Sequence, residues 1–222
     1  MSDILYVVLF LSGIVAVIFF SITYIPRKYK QVLEKLTLIE ERRTRITPSL
    51  YAILEGKWRG IKLKIGIRVV LGGVRGTMHL FIILNSSCNP PCSLFIKSIP
   101  KSDKTFFTAN LSKIKKFHLG KAKMRLPENK LEVLFSPNNE ASVNRFLNPQ
   151  RLEIISYLFD KGFNYIEINK TAQGEYCLKI DLEYSGFHPE VWKLRDKVMA
   201  EVLNSTSISN ILQKLKEFSE VT

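Results

Sequence analysis

From Ile4 to Ile25 no side chain is charged, and the run ILYVVLFLSGIVAVIFFSITYI closes on Pro26, Arg27, Lys28 and Lys30. As a helix those 22 residues extend about 33 Å, enough to cross a hydrocarbon layer of about 30 Å. Past Pro26 the apolar spacing changes to three and four, with Val32, Leu33, Leu36 and Ile39 predicting a juxtamembrane helix over Gln31–Arg43 that Thr47-Pro48 ends. From Leu50 the period becomes two. Ile61, Leu63, Ile65, Ile67 and Val69 alternate with Lys62, Lys64 and Arg68, a half-buried strand that Gly72–Gly76 turns into a more apolar one over Thr77–Leu84.

Further strands are expected over Ser93–Ile99, Thr105–Ala109, Lys115–Leu119 and Leu131–Phe135, and a short helix from Asn138 to Leu147. Pro149 suits the first position of a second helix that Gly162 stops. A hairpin over Phe163–Asn169 and Glu175–Tyr184 follows, then amphipathic helices over Pro189–Leu203 and Ser207–Phe218. Strands, helices, a hairpin and helices in that order predict an α+β fold with mainly antiparallel sheet. The expected organisation is a transmembrane anchor over 1–25, a juxtamembrane helix and linker over 26–48, and a soluble domain over 49–222.

Charge sets the expected orientation. Arg27, Lys28 and Lys30 follow the apolar run and no lysine or arginine precedes it, which predicts a single-pass protein of the cell membrane, N-terminus outside and C-terminal domain cytoplasmic. No basic leader or small-x-small cleavage site flanks the run, so a span is expected rather than a cleaved signal. Tyr6 and Tyr24 suit interfacial anchoring, and Ser12, Gly13 and Ser21 suit a helix-packing face. The net charge of +13 is uneven: residues 26–76 hold 13 basic against 4 acidic side chains, residues 77–130 hold 10 against 2, and residues 131–222 hold 10 against 13. A basic membrane-proximal half suits a domain lying against anionic lipid. Lys113, Lys115, Lys116, Lys121, Lys123 and Arg125 are the candidate contacts with an anionic surface; no stacking pattern or recognition helix accompanies them, which makes nucleic acid the lesser expectation.

Little else suggests chemistry. Cys88-Asn89-Pro90-Pro91-Cys92 spaces two thiols by three residues in a Pro-rich turn, but Cys177, His79, His118 and His188 do not complete a ligand set. Asp181 and Glu183, with His188 beyond, alternate with Leu178, Ile180, Leu182 and Tyr184, so the carboxylates are expected on a solvated strand face. Gly72–Gly76 lacks the Lys-Ser/Thr ending of a phosphate loop, and no Gly-x-Ser-x-Gly or His-Glu-x-x-His sequence occurs. The sequons at Asn85, Asn110, Asn169 and Asn204 carry no meaning on the cytoplasmic side.

The run Gly56-Lys57-Trp58-Arg59-Gly60-Ile61-Lys62-Leu63, followed by Leu131–Ala141 and Phe146-Leu147-Asn148-Pro149, resembles a group of bacterial single-pass membrane-anchored proteins of unknown function. Their pattern is a G-x-Y/W-x-G-x-x-V strand, a later F-x-x-x-F-x-V segment and two helices. The resemblance spans Leu50–Ile168 and departs at Leu131-Glu132, where the group tends to show Phe-Asp. It implies architecture and transfers no catalytic residue. The expected function is a non-enzymatic accessory, assembly or scaffold subunit of a membrane complex, with no cofactor or metal and with a protein partner; the alternative is a tethered module for an anionic ligand, nucleic acid or lipid headgroups.

Overall fold

The computed structural model describes residues 2–72, 74–86, 88–98, 122–126, 131–135, 139–170 and 175–221. Helix α1 (Ser2–Phe19) passes through a π-turn (Phe20–Tyr24) into α2 (Ile25–Glu34) with helical backbone at each junction. The apolar run is thus one helix, long and apolar enough to cross a membrane, and its window of highest hydropathy has no share buried against the rest of the protein. Pro26 follows the π-turn inside this continuous helix, where the hydrogen-bond ladder is already shifted, the Ile25 N–H donating to the Phe20 carbonyl.

Among the described residues nine strands form one antiparallel sheet: β1 (Glu40–Ile46), β2 (Ala52–Trp58), β3 (Ile61–Gly72), β4 (Arg75–Ser86), β5 (Leu94–Ser98), β6 (Ala122–Leu126), β7 (Leu131–Phe135), β8 (Tyr165–Lys170) and β9 (Tyr176–Phe187). Their spatial order is β1-β2-β3-β4-β9-β8-β5-β7-β6. The hairpin β8–β9 is inserted between β4 and β5, so residues about a hundred positions apart in β4 and β9, and about seventy apart in β5 and β8, become neighbours. The remaining helices are α3 (Glu140–Phe146), α4 (Pro149–Asp160), α5 (His188–Lys197), which runs into a second π-turn (Val198–Val202), and α6 (Ser205–Glu220). Asn148 caps α4 by accepting from the Arg151 N–H at 3.0 Å, and Gly162 takes the positive φ of 97° after it.

The period-two pattern decides which face is core. Leu63, Ile65, Ile67 and Val69 of β3, Met78, Leu80, Ile82 and Leu84 of β4, and Leu178, Ile180 and Leu182 of β9 are buried in one cluster with Ile155, Leu158, Val191, Ile208, Ile211 and Leu215 of the helices. Ile25, Tyr29 and Leu33 of α2 belong to that cluster too. The apolar helix therefore ends against the domain's core.

One expected element is corrected. The helix foreseen over Gln31–Arg43 stops at Glu34, and residues 40–46 form edge strand β1 instead. Leu36 and Ile39, which supplied the helical spacing, are buried in the turn between them. Pairing with β2 determines the outcome: Arg45 meets Glu55 at 3.2 Å and Lys57 meets Glu41 at 2.6 Å across the two strands, contacts that no local pattern announces. The strands expected over 105–109 and 115–119 lie outside the described residues.

Candidate functional site

None of the described helices lies on the other face of the sheet, and there the antiparallel register builds polar rows. Arg68, His79 and Glu183 stand side by side across β3, β4 and β9. Ile53, Gly66, Phe81, Asp181 and Tyr165 form the next row, and Glu55, Lys64, Ile83, Lys179 and Glu167 a third. Gly66 is required by its neighbour: a Cβ there would lie 2.2 Å from the Phe81 ring, which covers it.

Arg68, His79 and Glu183 of the first row, with Phe81, Lys64 and Lys179 of the next two and Thr47, Ser49 and Tyr51 before β2, line a hollow of about 680 Å³. The Tyr51 hydroxyl hydrogen-bonds His79 Nδ1, and His79 Nε2 hydrogen-bonds Asp181 Oδ1. Lys179 Nζ reaches Asp181 Oδ2 at 2.5 Å. The Arg68 guanidinium lies 5.7 Å from the Tyr51 ring centre, with its Nε buried and unpartnered. Burial pushes the Tyr51 phenol above its ordinary pKa, and the charges of Asp181 and Glu183 add to that against Arg68. Asp181 is 4 % exposed, which corrects the expectation of a solvated carboxylate. The side chain of His188 is outside the described residues.

Chemically the network is closed upon itself. Both ring nitrogens of His79 are occupied, and the phenol that touches one of them is held protonated. The hydrogen bonds join Tyr51 before β2, His79 of β4 and Asp181 of β9 into one chain, and such a buried polar network rigidifies the strands that carry it.

A second concavity, of about 610 Å³, lies where the C-terminus meets α3 and α4. Arg151 is buried there and donates to the carbonyls of Phe146 at 2.8 Å, Phe218 at 3.1 Å and Val221, while its guanidinium stacks 4.0 Å from the Phe146 ring. Three carbonyls from two helix ends converge on one cation, so Arg151 clamps α6 to α4. Cys88 lines the same concavity; burial raises its thiol pKa, and Ser86 Oγ donates to its sulfur at 2.8 Å. Cys88, Cys92 and Cys177 are free thiols, and no group of three metal-binding side chains occurs among the described residues.

The basic candidates disperse. Arg27 and Lys28 are exposed on α2, while Lys30 is half-buried and pairs with Glu34 at 3.3 Å. Arg125 is exposed on β6 with Nε 3.7 Å from Glu132. Lys123 lies on the same strand, opposite Leu134. Lys113, Lys115, Lys116 and Lys121 lie outside the described residues. Sequence reasoning missed Tyr51, Arg68 and Arg151. The first two share the strand parity of Lys64 and His79, but only the β4–β9 pairing brings them together with Lys179 and Asp181. Comparison with protein-family models, curated proteins and solved structures gives no match.

Proposed function

We propose that this protein is a membrane-anchored, non-catalytic accessory subunit that holds its domain in a fixed pose at the cytoplasmic surface for a protein partner. One observation carries the reading: the apolar helix continues without a break into α2, whose Ile25, Pro26, Tyr29 and Leu33 are buried in the domain. A tether that only localises an enzyme needs no such rigidity, whereas a subunit that must meet a partner at one height and angle gains from it, because ordering entropy is already spent before contact. Extraction of the C-terminally tagged chain from native membranes in mild detergent is expected to give a discrete larger species holding one partner in fixed ratio, read by native gel and mass spectrometry. A lone monomer would overturn the proposal.

A second reading, a tethered module for an anionic ligand, is favoured by Arg68, whose buried Nε has no partner beside Lys64 and Lys179 at the hollow. It requires that the full chain bind inorganic phosphate or a polyanion with steep salt dependence, and that Arg68→Gln abolish the binding. Absence of binding at low ionic strength removes it.

A further inference from the structure

The large apolar side chains exposed outside the span, among the described residues, are three: Ile46, Val74 and Phe187, at 38 %, 71 % and 46 % exposure. Two of them, Val74 and Phe187, sit together at one end of the sheet. Val74 lies in the turn between Gly72 and Arg75, and Phe187 pairs with Arg75 at the end of β9, whereas Ile46, opposite Ala52 and so level with Ile67, stands back from that end on the edge strand β1.

The membrane helix leaves from that same end. Glu34, the last residue of α2, accepts from the Thr44 hydroxyl at 2.7 Å. Thr44 stands opposite Leu54, which stands opposite Ile65, so α2 ends level with the middle of β3. Nine residues earlier, Ile25 lies about 13 Å back along the helix, equal to about four strand residues. Of the strands, it is β3 that the π-turn and the end of α1 lie against. Because α2 lies over β1 and β2 as well as β3 and so crosses strands, its displacement along β3 is at most that distance, and the π-turn and α1, still over β3, carry the apolar run toward the Gly72 end. Arg27 and Lys28 are exposed just past the run, and Arg75 is exposed in the turn itself.

We infer that the end of the sheet bearing Val74 and Phe187 is a second membrane contact, dipping into the interface of the bilayer that the anchor crosses. Apolar side chains flanked by arginine and lysine are the composition an interfacial contact with anionic lipid requires. The placement fixes the partner as lipid: an apolar tip at the end of the sheet from which a spanning helix leaves meets headgroups and upper acyl chains before any other surface. The contact also adds a second attachment point, which with the buried α2 opposes tilting of the domain. This inference rests on the spanning reading of α1, and the experiment separates the two.

The full chain, with Cys88→Ala, Cys92→Ser and Cys177→Ser, is reconstituted in phosphatidylcholine–phosphatidylglycerol liposomes carrying one environment-sensitive fluorophore on Val15→Cys, Val74→Cys, Phe187→Cys or Lys62→Cys. Lipid-attached quenchers at shallow and deep positions report depth. The expected result is deep quenching at position 15, blue-shifted emission with shallow quenching at 74 and 187, and neither at 62, which lies at the opposite end of the sheet. Position 15 deep with 74 and 187 as aqueous as 62 overturns the lipid contact and leaves the span intact, and would assign the tip to a protein surface. Position 15 out of reach of the deep quencher overturns the spanning reading and the inference with it. The labelled sites at 74 and 187 are exposed, and agreement between them excludes an effect of one misfolded variant.

Discussion

Tyr29 is 1 % exposed and its hydroxyl has no hydrogen-bond partner. A buried hydroxyl without a partner costs about 1–3 kcal/mol, so Tyr29→Phe is expected to leave stability unchanged or raise it. Tyr29→Ala empties the junction between anchor and sheet and is expected to cost about 3–5 kcal/mol. Thermal unfolding in detergent compares the two; equal losses would mean the ring does not fill that junction. Three other tyrosines give a pH signature. Burial first, with nearby carboxylates adding to it, raises Tyr165 and Tyr184 from 10 to about 12, and Tyr51 moves the same way. Between pH 10 and 12 the unfolded chain has released phenolic protons that the fold retains. Stability is therefore full below pH 10 and falls as pH rises through that window. Phenolate absorbance is expected to show a late-titrating group of tyrosines in the native chain that merges with the rest on denaturation. All eight tyrosines ionising together near pH 10 would contradict the burial.

At the scale of elements, strands whose pattern is local were legible and pairings set by distant chain were not. The alternation from Ile61 to Val69, the Gly72–Gly76 turn, and the helix framed by Asn148-Pro149 and Gly162 each carry their own signal, and β3, β4 and α4 form where it points. β1 has no such signal, because Glu40–Arg45 is charged at almost every position and becomes a strand only by crossing Glu55 and Lys57. The hollow was hidden for the same reason: Asp181 looks solvated by alternation, and only the insertion of β9 beside β4 places it against His79. Gly56 marks how closely β1 is held, since a Cβ there would lie 2.6 Å from the Glu40 carbonyl oxygen and 2.6 Å from the Ile39 side chain. Gly56→Ala is expected to detach β1 at a cost of about 1–3 kcal/mol, seen as faster hydrogen exchange over residues 40–46 with β3 and β4 unchanged. Unaltered exchange in β1 would show that the edge yields freely.

The whole molecule is arranged around one axis. The apolar helix, the π-turn and α2 form a continuous rod whose last turns are buried against the sheet, and exposed Val74 and Phe187 lie at the end of the sheet from which the rod leaves. Rigid continuity between span and domain is the claim from which both the accessory role and the lipid-contacting tip follow. It is tested most directly by the distance distribution between spin labels at Val15 and Lys62 of the full chain in liposomes, measured by pulsed dipolar spectroscopy. The account predicts one narrow distribution, unchanged by salt. A broad distribution, as from a domain swinging about a flexible joint near Pro26, would contradict it.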